Sequence, residues 1–142
     1  MDAALAEARK GAAAGEVPVG AAVVFDGRVV SRAHNETIAR RDLTQHAELL
    51  AMRRALEVLE TDRLEGATLY VTLEPCAQCA GSIVLARVSR VVFGAYDPKA
   101  GMAGSVGDLL RHPKLNHRPE VTGGVMEEEC GGVLREFFEA RR

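Results

Sequence analysis

The 142-residue sequence is short of three things that would settle its class at a glance: cysteine, uninterrupted apolar sequence and net charge. Three cysteines, two of them only three positions apart, argue against a disulfide framework and for a reducing compartment. No apolar run approaches the roughly 20 residues that a membrane span needs. The opening stretch, Met1 to Lys10, mixes charges through an Ala-rich helical pattern and lacks the features of a secretory signal. A cytoplasmic protein with no membrane partner is expected. A net charge of −2 does not announce a nucleic-acid binder in bulk. Internal repeats, linkers and low-complexity tracts are also missing, and 47% hydrophobic content fits one compact domain over residues 1–142.

Against that plain background a two-part motif stands out, His46-Ala47-Glu48 and Pro75-Cys76-Ala77-Gln78-Cys79. The C-x-x-C spacing lets two thiolates at the start of a helix converge on one tetrahedral ion, with His46 as the third ligand. Three protein ligands leave one corner open. A structural zinc normally closes that corner with a fourth side chain, whereas a hydrolytic zinc keeps it for water. The reading is one Zn2+ per subunit, held by His46, Cys76 and Cys79. Two thiolates cancel the formal charge of the ion, so a base beside the water is needed. Glu48, two residues from the histidine, can take that proton and pass it to a substrate. Either half of the motif is common by chance, but the conjunction, with Pro75 ahead of the first cysteine, resembles the signature of zinc nucleobase deaminases.

Hydrophobic periodicity supplies the frame. Residues 2 to about 14 read as a helix closed by Gly15 and Pro18. Val19–Phe25 and Arg28–Ala33 are strand-like runs joined by Asp26-Gly27, a strong hairpin signal. After a polar loop, residues 46 to 59 carry apolar side chains at helical spacing. His46 and Glu48 then both fall at the helix start, where positions i and i+2 point about 200° apart. They can share a site only if that start is irregular or a substrate wedges between them. Thr68–Leu73 reads as a strand and Cys76 to about Ala86 as a helix entered through Pro75. Arg90–Ala95 reads as a strand that pairs parallel with Thr68–Leu73 across that helix. Free N–H groups at the helix start favour thiolate over thiol. Ser105–Leu110 reads as a short helix, Glu120–Thr122 as an edge strand and Met126–Ala140 as a final helix. The frame is thus an α/β fold. Ligands collect at the carboxyl ends of strands in such sheets, which puts Tyr96-Asp97-Pro98-Lys99 near the metal.

Several residues carry a plainer reading beside the functional one. Cys130, near a glycine pair, fits a small buried hydrophobe better than a fourth ligand. Asn35 after a strand and Asp97 before a proline are ordinary turn residues. Phe137 and Phe138 fit core packing better than base stacking. The stretch from Arg111 to Arg118 has three basic residues, two histidines and no acid, a composition that can track phosphates or simply be solvated.

Segments beyond the metal motif carry a fuller likeness. They are Val17-Pro18-Val19-Gly20-Ala21, Ala67 to Cys76, Cys79-Ala80-Gly81, Arg90 to Ala95, the Gly101 to Ser105 loop and Leu115-Asn116-His117-Arg118. Through them the chain resembles the bacterial tRNA adenosine deaminase family over nearly its full length. The resemblance implies a three-layer α/β/α, cytidine-deaminase-like fold with a mixed five-stranded sheet and helices on both faces. It also implies hydrolytic deamination of adenosine to inosine at the wobble position of a tRNA anticodon, by a homodimer with the RNA loop across its interface. Asn35 would then hydrogen-bond the flipped purine and Asp97 would contact the adjoining nucleotide. Lys99, Arg111, Lys114, His117 and Arg118 become candidate contacts to the anticodon stem-loop. A target splayed from an RNA loop avoids most of the unstacking that a duplex would impose. Three positions depart from the family pattern: Leu43 stands where a proline is usual, Gln45 replaces a small residue, and Gln78 replaces an apolar one between the cysteines. The competing readings are a deaminase of free bases or nucleosides, such as guanine or cytosine, and an inactive zinc scaffold that binds RNA.

Overall fold

The computed structural model describes residues 1–142. Its elements in order are α1 (Asp2–Ala13), β1 (Gly20–Phe25), β2 (Arg28–His34), α2 (Ala47–Leu59), β3 (Thr68–Leu73), α3 (Ala77–Ala86), β4 (Arg90–Ala95), β5 (Glu120–Thr122) and α4 (Glu127–Glu139). The hairpin turn lies where the Asp-Gly pair predicts it. Asp26 and Gly27 have φ of 53° and 76°, the left-handed backbone that lets a two-residue connection follow the strand twist.

The strands form one sheet in the order β2-β1-β3-β4-β5. β1 is antiparallel to both β2 and β3, whereas β3, β4 and β5 run parallel. The carboxyl end of β3 therefore lies beside the amino end of β1 and the carboxyl end of β4. Val19, Glu74 and Asp97, which flank those three ends, line a common cavity.

α2 and α3 cover one face of the sheet, α1 and α4 the other. Alternation along the strands divides the core between them. Ala21, Val23, Leu69, Val71, Val91 and Phe93 join Ala51, Met52 and Ile83 in one continuous apolar cluster on the α2–α3 side. On the opposite side Leu5 and Cys130 form a smaller cluster that Ala95, the last residue of β4, joins at the strand end. There α1 rests directly on β1, because a Cβ at Gly20 would sit 1.9 Å from the Ala4 carbonyl oxygen. The Gly20 N–H donates to the buried Thr72 hydroxyl at 3.1 Å.

Two expectations need correction. Ser105–Leu110 is not a helix but a series of turns closed by an isolated bridge between Ala103 and Asp108. The amides that a helix would use are engaged elsewhere: Val106 N–H donates to the Gly101 carbonyl, and Leu109 N–H to the Met102 carbonyl. Ala103 and Ser105 N–H both donate to the Glu74 carboxylate. Phe138, placed with the core by its spacing, is half exposed while Phe137 is buried. Adjacent helical positions lie about 100° apart, so only one of the pair can face α1. No helix is long and apolar enough to cross a membrane.

Candidate active site

α2 and α3 both start at the carboxyl end of β3, each with a metal-ligating residue type in the N-cap position. His46 caps α2 in an extended conformation, with φ −83° and ψ 150°, and Cys76 caps α3 with φ −77° and ψ 179°. Neither side chain makes a capping hydrogen bond. This is the irregular start, one of the two arrangements that the His-x-Glu spacing left open. The extended cap swings His46 off the helix, while Glu48 stays buried in the first turn.

His46 Nδ1 lies 3.5 Å from Cys76 Sγ and 3.5 Å from Cys79 Sγ, and the three residues form a group that could hold a metal ion. Cys130 lies apart from it, buried against Leu5 and Ala95. Gly94 makes room for that thiol, since a Cβ there would come within 2.4 Å of its sulfur. Burial pushes the Cys130 thiol up to about 11.

The cluster is electrostatically tense. Hydrogen bonds from Cys79 and then from His46 hold Cys76 down to about 3, while Cys76 and burial push Cys79 upward. The two sulfurs lie within 4.8 Å of each other, and like charges side by side oppose each other's formation. His46 is raised, chiefly by its bond to Cys76, and the Leu43 backbone contributes in the same direction. Loss of solvent lifts the Glu48 carboxyl from 4.5 to about 7, against the pull of its own backbone N–H and of His46.

The cavity beside the cluster has an apolar side of Val17, Val19 and Leu73 and a polar side that includes Asn35, Glu48 and Asp97. Asn35 is buried, and its Oδ1 accepts the Ala47 N–H at 2.8 Å. Its amide thus does the capping work that His46 does not, leaving the NH2 group for the cavity. Asp97 Oδ1 accepts from Lys99 N at 3.0 Å and Ala100 N at 3.3 Å, a turn that also presents Lys99 to solvent. The other basic candidates are not gathered there. Arg111 pairs with Asp108 at 2.9 Å and also donates to the Ala103 carbonyl. Arg118 folds onto the Pro113 and Leu115 carbonyls, and Lys114 is exposed. His117 Nε2 lies 2.6 Å from the Val88 carbonyl. Val88 precedes β4, so His117 sits at the opposite end of that strand from Asp97, about 20 Å away by strand rise.

Sequence reasoning missed two residues. Glu16 is buried and accepts from Ile38 N at 3.0 Å, Ala39 N at 2.8 Å and the Thr37 hydroxyl at 3.3 Å. Glu74 does the same for the loop after β4. Burial works to raise both carboxyls, but the hydrogen bonds outweigh it and both end below the ordinary value. The available signal was position, since each acid sits in an apolar, proline-marked setting, Glu16-Val17-Pro18 and Leu73-Glu74-Pro75. The three departures leave the loop into the site tied. Gln78 Nε2 donates to the Thr44 carbonyl at 2.9 Å and Gln45 Nε2 to Asp42 at 2.8 Å. The Leu43 side chain points outward, 84% exposed.

The sequence matches the MafB19-like deaminase family over residues 1–142. It is 51% identical to the tRNA-specific adenosine deaminase of Bacillus subtilis, over 100% of this chain and 88% of that one. It is 46% identical to the tRNA-specific adenosine deaminase of Agrobacterium fabrum, over 100% of this chain and 93% of that one. A solved structure from a study of A-to-I editing by tRNA:A34 deaminases superposes with a TM-score of 0.91 at 46% identity, covering 94% of this chain and 97% of the other. With a catalytic-type cluster set in that fold and full-length likeness on both sequence and structure, the chain belongs to the MafB19-like deaminases, in the family of tRNA-specific adenosine deaminases.

Proposed function

We propose that the protein converts adenosine to inosine at the wobble position of a tRNA anticodon, as a single zinc deaminase domain with one Zn2+ per subunit. The observation that carries this reading is the His46–Cys76–Cys79 triangle with the buried Glu48 carboxyl against it. Zn–S bonds of about 2.3 Å and a Zn–N bond of about 2.0–2.1 Å at tetrahedral angles set nitrogen and sulfur about 3.5 Å apart. The His46 nitrogen lies 3.5 Å from each sulfur, so the donor set fits zinc in both chemistry and spacing. Bound there, zinc would make water acidic enough to attack at neutral pH.

The residues around it do the rest. Glu48 accepts the proton of the attacking water as oxygen bonds to C6 of the purine, and delivers it to N1. It then takes the remaining proton from the new C6 hydroxyl and hands it to the exocyclic nitrogen, so that the C6–N6 bond breaks to release ammonia and leaves the C6 carbonyl of inosine. One carboxyl can serve in both directions when its pKa lies near working pH, and burial moves Glu48 that way. Asn35 offers its NH2 group to the purine ring, and Asp97 meets the adjoining nucleotide. Val17, Val19 and Leu73 exclude water from the base. Lys99 touches the RNA beside the cavity, and Arg111, Lys114, His117 and Arg118 form a more distant basic surface. The working form is a cytoplasmic homodimer. Its support is the apolar groove between α2 and α3, with Leu49, Met52 and Leu56 inside and Leu85 on its rim, 83% exposed; a patch of that kind marks an interaction surface.

The test is a transcribed anticodon stem-loop with adenosine at the wobble position, incubated with zinc-loaded protein. Inosine should form in the RNA; turnover of free guanine or cytosine alone would reject the reading. Glu48→Ala should keep one zinc per chain and lower kcat by about a thousandfold, within the range for loss of a general acid–base. Unchanged turnover would remove Glu48 from its role.

A further inference from the structure

Glu74 is 2% exposed and makes no ion pair with any lysine or arginine. A carboxylate offers about four acceptor positions, and here all four are filled from one loop. Asp97 N–H donates to Oε1 at 3.0 Å, and the Ser105 hydroxyl donates to the same oxygen. Ala103 and Ser105 N–H each donate to Oε2 at 3.0 Å. The loop wraps the carboxylate so closely that a Cβ at Gly101 would sit 2.3 Å from Glu74 Cδ. Met102 N–H adds a tie to the Pro75 carbonyl at 2.8 Å. Between Asp97 and Ser105 the chain has no regular element of its own, yet Asp97 and Ala100 form part of the cavity wall.

The segment's other ties are local turns, the Met102–Pro75 hydrogen bond and the Arg111 guanidinium on the Ala103 carbonyl; Glu74 is the group that fixes it at both ends, Asp97 and Ser105. The carboxylate that does so stands two residues from Cys76, so the same short stretch sets both a metal-ligand residue and the far side of the cavity. We propose that Glu74 is a positioning residue: it holds the Asp97–Ser105 loop as the wall against which the substrate is seated. What that wall seats rests on the function proposed above, whereas the clamp itself does not.

Glu74→Gln is the direct test. The amide keeps the shape but turns one acceptor oxygen into an NH2 group facing N–H or O–H donors. Ser105→Ala is the gentler companion, removing one donor and leaving three. In Glu74→Gln, amide exchange over 97–105 should accelerate about tenfold, the kinetic equivalent of losing one to two hydrogen bonds, and less in Ser105→Ala. Exchange over 36–42, held by Glu16, should not change. Zinc should remain at one per chain. KM for the stem-loop should rise about tenfold with kcat within about threefold, the pattern of lost uniform binding.

Unchanged exchange over 97–105 in both variants would overturn the clamp. Faster exchange with KM unmoved would leave Glu74 a purely structural residue, and a fall in kcat at constant KM would move it into the chemistry; either overturns the proposal. If Glu74→Gln does not fold, Ser105→Ala is judged by the same measures. If the wild-type protein does not edit the stem-loop, the functional reading fails, and the exchange criterion still decides whether Glu74 holds the loop.

Discussion

Individual side chains at the site divide into those that offer their chemistry and those that hold the others still. Gln78 is of the second kind, because its amide bridges the cysteine helix to the Thr44 carbonyl two residues before His46. Gln78→Leu should weaken zinc binding about three- to tenfold, the effect of one hydrogen bond acting through a ligand segment, as read by competition with a chromophoric chelator; unaltered affinity would mean the bridge is idle. Metal removal should expose Cys76 in particular, since its thiol is held at about 3 while Cys130 is pushed up to about 11. Iodoacetamide at neutral pH should label Cys76 in metal-free protein, spare Cys130, and label neither once zinc is restored. The gathering of His46, Cys76 and Cys79 into a group that could hold a metal was legible in the sequence because their chemistry is in the side chain and the cysteine spacing is local. Glu16 and Glu74 were not, because their partners are mostly backbone amides, which every position supplies, on loops more than twenty residues away.

At the scale of elements, one buried carboxylate organises each loop flanking the cavity, Glu16 the segment after β2 and Glu74 the segment after β4. Glu16 is depressed below 4.5 by the Ile38 and Ala39 amides and the Thr37 hydroxyl, against the upward push of burial. A lowered folded-state pKa gives stability that is fully present above the unfolded value and is lost as pH falls through the folded one. The gap in Tm between wild type and Glu16→Gln should therefore be widest above about pH 5 and narrow steadily toward pH 3. A gap independent of pH would show that the charge on Glu16 contributes nothing. Hairpin and helices could be read from turn chemistry and spacing, but two features could not be read from periodicity. An extended cap such as His46 looks like a helical residue by that measure and is hinted at only by its need to share a site with Glu48, and Ser105–Leu110 loses its helix to an acceptor 31 residues upstream.

For the molecule as a whole, the parallel pairing of β3 and β4 followed from the helix between them, whereas the insertion of β1 beside β3 is a long-range choice that no local pattern announces. It matters, because only that neighbour brings Val17 and Val19 over the cavity. The exposed face of α2 and α3 is the other feature at this scale. If that face carries the proposed dimer, wild type should run as a dimer in light scattering and Leu85→Glu should shift it toward monomer; a monomeric wild type would reject the dimer, and an unshifted dimer mass would reject this face as its contact. His46 and Cys79 stand 33 positions apart in sequence, so an ion gripping both would be a cross-link as well as a reagent. It would bind the folded chain far better than a random coil whose ends must first be brought together. At a hundredfold excess over its Kd such an ion adds about 2.7 kcal/mol, or roughly 10 °C in Tm for a chain of this size. A chelator should therefore make the protein melt earlier even with no RNA present.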